Sequence, residues 1–264
     1  MLENIILGAV QGLTEWLPIS SEGVLSLIEL NFFSQDGFSL PDTISLILFL
    51  HLGTFLAALI YFRQDVIRLT RSLFHFRESP SADKRVIIFL VISTVLSGGI
   101  GISILTLLEN TPLSASSKVI TLIIGLLLLV TGGMGLFVRS GGTRPEESVS
   151  IADSIILGIL QGLSALPGVS RSGITVAGLL LRKLNDEAAL RLSFLMSLPI
   201  VLGGNIILNL KSGLIFDSTA LVGLTFSFIF GLLTIHLLLR LARRVSFSWF
   251  AIIFGVLSII SIFI

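Results

Sequence analysis

The sequence predicts an all-α, polytopic membrane protein, and three observations carry that prediction. Of 264 residues, 53% are hydrophobic and only 12% charged, at a mean hydropathy of +1.02. A soluble domain carries about twice that charge. Six stretches (43–62, 86–108, 117–138, 188–210, 219–240 and 246–264) are apolar for long enough to cross roughly 30 Å of hydrocarbon. Finally, one segment occurs twice, 150 residues apart: IILGAVQGLTEWLPISSEG at 5–23 and IILGILQGLSALPGVSRSG at 155–173, identical at nine of nineteen positions.

Taken in chain order, the first copy is a short apolar helix that runs into a Pro/Ser/Gly stretch and a second short apolar piece at 24–33. Neither copy is long enough to span, so each is expected as a re-entrant helical hairpin; the second returns through 174–182. Irregular backbone at membrane depth is tolerated only inside protein or along a wet cavity, which makes the two tips candidate cavity walls. After hairpin one come the span 43–62, the basic loop 63–85, the spans 86–108 and 117–138, and the loop 139–153. Hairpin two is followed by the basic segment 182–191, the spans 188–210 and 219–240, the basic segment 240–245 and the last span. Asn205 and Asn209, four apart, are expected to join helices. The chain reads as a single domain, 1–264, with repeat halves at about 1–138 and 151–264.

Charge orients this arrangement. Fourteen of the seventeen Lys and Arg lie in the four regions 63–85, 139–153, 182–191 and 240–245, which fall on one side. Lys118 and Lys211 lie on the other, and Arg171 lies in the second tip. The positive-inside bias makes the rich side cytoplasmic. Three spans separate the hairpins, an odd number, so they enter from opposite sides. This is an inverted-topology repeat whose tips meet near the midplane, where such folds place their site. A net charge of +1 implies no polyanion partner, and hence no nucleic acid. The absence of Cys excludes disulfides and thiolate zinc sites. The N-terminus bears Glu3 and no Lys or Arg, and its apolar run is broken by Glu15 and Pro18, so it is not read as a cleavable leader.

The copies differ chiefly in charge. Glu15 and Glu22 of copy one face Ala165 and Ser172 of copy two, and Ser21 faces Arg171. Gln11 and Glu15 share one helix face, beside a Gly8/Gly12 stripe that permits close packing. An ionisable residue at membrane depth is a functional hypothesis by default; the alternative for Glu15 is an interfacial cap. Gln161 repeats Gln11, so Gln11 either serves the site or joins helices. Ser20 reads best as a helix cap. Ser21 reads equally as a cap, a phosphate contact or a nucleophile, and Glu22 as a second carboxylate or a water-facing helix acid. In copy two, Arg171 stands between Ser170 and Ser172 with Thr175 one turn on, a pattern that suits bidentate phosphate binding; the alternative is a structural Arg paired with a carboxylate. His51, in the first span, could reach the site, although a structural histidine is the plainer reading. Carboxylates could hold Mg²⁺ or Ca²⁺, with Glu15 as the ligand, and bridge phosphate oxygens. The chemistry that fits is hydrolysis of a phosphoanhydride on a lipid.

At these residues the chain resembles the undecaprenyl-diphosphatase family, the bacitracin-resistance type of membrane phosphatase. The likeness runs along essentially the whole chain, through QGLTEWLPISSEG, FLHLGT, PGVSRSGIT, LSFLMSLP and RRVSFSWFAI. It implies removal of a phosphate from a C55-type polyprenyl diphosphate to regenerate the monophosphate carrier. It also implies divalent-metal dependence and an outward-facing site in the plasma membrane. By this reading Glu15, Ser21 and Arg171 are catalytic, while Gln11, Ser20, Glu22, His51, Ser170, Ser172 and Thr175 bind substrate. The partners are the lipid and the bilayer, and a homodimer is admitted. In one departure, the family continues Ser-Ser-Thr-Gly-His where this chain reads Ser20-Ser21-Glu22-Gly23-Val24. A transporter or flippase for a polyprenyl phosphate or another anion is the rival reading, and a catalytically impaired lipid-phosphate binder the third.

Overall fold

The computed structural model describes residues 1–17, 20–33, 40–110, 117–137, 142–166, 168–212, 218–241 and 248–260. Among them the regular structure is helical, with one isolated bridge between Arg144 and Leu184. Hairpin one is α1 (Leu2–Thr14) and α2 (Ser21–Ile28), continued by a π-helical turn at Glu29–Phe33. Next come α3 (Leu40–Tyr61), α4 (Arg63–Phe74), α5 (Ser81–Asn110) and α6 (Ser117–Phe137). Hairpin two is α7 (Ile151–Leu163) and α8 (Arg171–Leu181), followed by α9 (Asp186–Ser212), α10 (Ser218–Leu241) and α11 (Ser248–Ile260).

Helices α3, α5, α6, α9, α10 and α11 occupy the six expected stretches. Among the described residues, Ser81–Leu107, Asp186–Ile207 and Thr219–Leu237 are each long and apolar enough to cross alone. Ser45–Tyr61 makes a fourth together with α4, from which it is bent by 83°. Outward-facing Val95, Val130, Ile155 and Leu233 are exposed, a placement that suits lipid rather than water. The chain is a multi-pass all-α membrane protein. The expected loop 63–85 turned out to contain a helix, α4. Its apolar Leu69 is buried on one face while Arg68 and Arg71 occupy the other, so an amphipathic period is present that the charge count alone does not reveal.

Contacts fix the relative directions of the helices. Gly8 and Gly12 of α1, and Trp16 just beyond its end, meet Gly223, Ser227 and Gly231 of α10 in ascending order, so these two run parallel. Leu50 and Thr54 of α3 meet Gly223 and Gly231 in the same sense. Against α9, α3 runs the other way: Asn205 Nδ2 donates to Leu48 O at 2.9 Å, while Phe62, just past the end of α3, packs at a tilt against Phe194 with centroids 5.9 Å apart. Gly158 and Gly162 of α7 meet Ser93 and Ser97 of α5 in ascending order. Helices α5 and α9 run together, since Asp83 and Arg191 join one ion cluster at their starts and Gly98 approaches Ile200 farther along. Helices α1 and α7 therefore enter from opposite ends, and each packs against a helix of the other half.

The glycine pairs make this exchange possible. A Cβ on Gly12 would lie 2.6 Å from Gly231 N and 2.7 Å from Ser227 O, both backbone atoms. One on Gly162 would lie 2.6 Å from Ile100 Cβ. Gly12→Val is expected to force α1 off α10 and to lower stability by about 1–3 kcal/mol or more, read as a reduced melting temperature of the purified protein in detergent.

Three of the four basic regions are tied together at one end of the bundle. Arg68 pairs with Asp83 at 3.2 Å and Glu146 at 3.4 Å, and Arg191 pairs with Asp65 and with Glu146 at 3.3 Å. Arg144 donates to Asp153 Oδ2 at 2.8 Å and Arg182 to Asp153 Oδ1 at 2.5 Å. Asp153 lies in the first turn of α7, outside the spans. Burial pushes its carboxyl up, but hydrogen bonds from Arg144, Arg182 and Ser150 outweigh that and hold it well below the usual carboxylate range. The fourth region, 240–245, is largely outside the described residues.

Candidate functional site

The two hairpin tips meet. Ser20 caps α2 and Ser170 caps α8 in the same way, each hydroxyl accepting from the backbone N–H three residues on, Gly23 and Gly173, at 3.0 Å. Ser20 Oγ also accepts from Gly168 N at 3.1 Å, and Ser172 Oγ donates to Leu17 O at 2.7 Å. Gly168 has φ +100°, a left-handed conformation that favours glycine. Thr131 of α6 supports the second tip by donating to Gly168 O at 3.4 Å.

Glu15 sits where the tips join, 5% exposed. Its Oε1 accepts from Arg171. Its Oε2 accepts from Gln11 Nε2 at 2.9 Å and from Ser21 Oγ at 2.7 Å, and lies 3.1 Å from His51 Nε2. Glu22 lies beside it, with Oε1 3.4 Å from His51 and Oε2 accepting from Ser20 at 3.3 Å. Its side chain, 26% exposed, is the more open of the two carboxylates. Carboxylates from hairpin one thus converge with a guanidinium from hairpin two, although α1 and α8 are 156 residues apart at this contact.

Two buried polar atoms of the cluster have no partner among the described residues: Arg171 Nη1, a donor, and Gln11 Oε1, an acceptor. A donor left unpaired inside protein is costly, and an anion brought to Arg171 would satisfy it.

The fit to a resident divalent cation is poor. Hard oxygen donors are present, but both oxygens of Glu15 are taken by four donors, one of them the Arg171 guanidinium. Among the described residues no group of three or more acidic or imidazole side chains is disposed to hold a metal. The expected metal role of Glu15 therefore meets an obstacle that sequence spacing could not reveal: cationic and neutral donors already compensate its charge.

The other expected residues divide clearly. Gln11 serves the site, whereas its repeat mate Gln161 joins helices, donating to Ser97 Oγ at 3.1 Å and to Met196 O at 3.4 Å. Thr175, expected to touch substrate, instead shares a 2.6 Å hydrogen bond with Ser193 of α9 and donates back to Arg171 O at 2.7 Å. It braces α8 from behind. Ser170 and Ser20 act as caps, and Ser172 as a tie between the tips. His51, read more plainly as structural, stands at the centre of the acidic group.

Sequence reasoning passed over Trp16 and Thr131. Trp16 donates to Gly231 O at 3.0 Å and packs edge-on to Phe194 with centroids 5.1 Å apart, which locks the end of α1. Its signal was a large aromatic directly after Glu15 where copy two has Leu166. Thr131 carried none, lying inside an apolar span.

A family model described as bacitracin resistance protein BacA matches residues 4–260. The chain belongs to the BacA family. Among curated relatives, an undecaprenyl-diphosphatase of Methanococcoides burtonii is 46% identical over 270 residues, 99% of this chain and 98% of the relative. Undecaprenyl-diphosphatases of Methanothrix thermoacetophila, 37% identical over 98% of this chain and 95% of the relative, and of Syntrophotalea carbinolica, 36% identical over 95% and 94%, are similar along their length. At position 24, where the resemblance leads one to expect a histidine, this BacA-family chain has Val24, buried at 4% exposure in α2.

Proposed function

We propose that this protein is a membrane phosphatase that hydrolyses a polyprenyl diphosphate of the undecaprenyl type to its monophosphate and inorganic phosphate. The observation that carries the reading is the buried Arg171, paired with Glu15 while its Nη1 has no partner among the described residues, at the meeting of two tips. A terminal phosphate brought there would take up the free guanidinium nitrogen and stretch or replace the Glu15 pair. Guanidinium contacts stabilise the charge that spreads over the oxygens of a transferring phosphoryl group.

Ser21 supplies the attacking hydroxyl in this reading. Its Oγ points at Glu15 Oε2 from 2.7 Å, the arrangement of a serine activated by an adjacent base. The Ser21 oxygen bonds to the terminal phosphorus, the bridging P–O bond breaks, and the Ser21 proton passes to Glu15. Water then cleaves the phosphoseryl bond and releases phosphate. The site opens to the outer face of the plasma membrane, a reading supported by the ion-paired basic regions at one end of the bundle and the positive-inside bias.

The test is phosphate release from a polyprenyl diphosphate by purified protein in detergent, with and without EDTA. Ser21→Ala is expected to reduce release to below one part in about 100. Acid quenching with a labelled terminal phosphate should trap phosphoserine in the wild type. Near-full activity in Ser21→Ala would move the attack to a water.

A second reading, a transporter or flippase for a polyprenyl phosphate, is favoured by the opposed entry of α1 and α7, since inverted repeats of broken helices are common in transporters. Substrate-dependent movement across vesicles without phosphate release would establish it. Binding that depends on Arg171, with neither activity, would mark an impaired lipid-phosphate binder.

A further inference from the structure

His51 has no part in the phosphoryl transfer as described so far, yet it is the side chain that links both carboxylates. It lies in the middle of α3, 3% exposed. Its Nδ1 is 2.7 Å from Ile47 O, while Nε2 is 3.1 Å from Glu15 Oε2 and 3.4 Å from Glu22 Oε1. With both carboxylates ionised, the geometry suits a ring that donates from Nδ1 to Ile47 O and presents an Nε2 proton to the acidic pair. Charged groups reach it from α1 (Glu15) and α2 (Glu22), with Arg171 of α8 on the far oxygen of Glu15. From α10 and α9, the neutral Ser227 and Asn205 reach α3 close to His51, donating to Leu50 O and Leu48 O.

A purely structural histidine would be served by Ile47 and one carboxylate. Here a second, partly exposed carboxylate also reaches Nε2. Moreover, Ser21 Oγ and His51 Nε2 meet at the same atom, Glu15 Oε2. A proton leaving Ser21 therefore arrives within reach of the ring.

Resting on the phosphatase reading, we propose that His51 is the proton donor to the leaving bridging oxygen, with Glu22 as its positioning residue and Glu15 as the group that reprotonates it. As the Ser21 oxygen bonds to phosphorus and the bridging P–O bond breaks, the Nε2 proton goes to that bridging oxygen, giving the alkyl monophosphate. The proton that Glu15 took from Ser21 passes to Nε2, so Glu15 is again an anion and His51 again carries its Nε2 proton. In the second half, water's oxygen bonds to phosphorus, its proton moves through Glu15 to the departing Ser21 oxygen, and phosphate leaves. One water is consumed and no proton is left over.

The test compares polyprenyl diphosphate with its analogue carrying sulfur at the bridging position, whose leaving sulfur needs no proton. His51→Gln is expected to slow the oxygen substrate by about 10²-fold or more and the sulfur analogue by less than about 10-fold, the size of effect left when proton donation is no longer needed. The ratio of the two rates is independent of how much of the variant folds. Glu22→Gln, at a more exposed position, should move that ratio in the same direction by a smaller factor. Equal slowing of both substrates would overturn the proposal and make His51 structural, as would full activity of His51→Gln on the oxygen substrate. A wild type that releases phosphate from neither substrate would instead sink the phosphatase reading itself.

Discussion

Arg171→Lys will remove nearly all phosphatase activity, about 10³-fold or more in kcat, while the protein remains folded. Lysine keeps the positive charge that Glu15 needs, so the buried carboxylate is not stranded. What lysine lacks is the planar fork, which lets one nitrogen hold Glu15 while another meets the anion. In the structure Arg171 Nη2 holds Glu15 while Nη1 has no partner among the described residues. The measurement is kcat and KM on polyprenyl diphosphate together with a melting curve in detergent. A fall in kcat with an unchanged melting temperature is the expected result. Full activity in Arg171→Lys would mean that charge alone suffices and that the unpartnered nitrogen has no part in binding.

Glu15→Gln is the second large effect, and it acts on both activity and stability. The substitution keeps the shape but removes the acceptor charge. Arg171 and His51, which both reach Glu15, then face a neutral amide that cannot compensate the guanidinium. Removing one partner of a buried pair costs about 3–5 kcal/mol, and losing the group that takes the Ser21 proton costs a further factor of about 10²–10⁴ in rate. The double variant Glu15→Gln with Arg171→Gln separates the two effects. It should recover much of the melting temperature, because no uncompensated pair remains, but none of the phosphate release. Recovery of activity along with stability would show that Glu15 serves only to hold the tips together.

Much of this site was legible in the chain because duplication left its own control. Where the copies agree, as at Gly8 and Gly158, Gly12 and Gly162, or Ser20 and Ser170, the residues proved to be packing contacts and caps. Where they disagree, as at Glu15 against Ala165 and Ser21 against Arg171, the residues gather at the tip junction. Gln11 and Gln161 break that pattern. They are identical, yet one serves the carboxylate and the other joins three helices, because the residue four positions on is Glu15 in one copy and Ala165 in the other. The partners of Thr175 were equally hidden. Its spacing from Arg171 suited a shared face, but its hydroxyl is turned toward Ser193 of α9, which local sequence does not specify.

Composition and periodicity by themselves determined that this chain is helical, multi-pass and built from two halves, because bilayer crossing demands long apolar helices and leaves that demand written in the residues. They also singled out the two short segments that meet at the candidate site, since charge at membrane depth is costly. Tertiary structure alone decided which partner each charge has. Glu15 and Arg171 are far apart in the chain, and His51 comes from a third element again. Their meeting depends on α1 and α7 entering from opposite ends and crossing onto the other half's helices. Counting spans predicts the opposed entry, but which helix each glycine stripe packs against is settled between segments far apart in sequence, Gly12 with Gly231 and Gly162 with Ile100, and no local pattern encodes that.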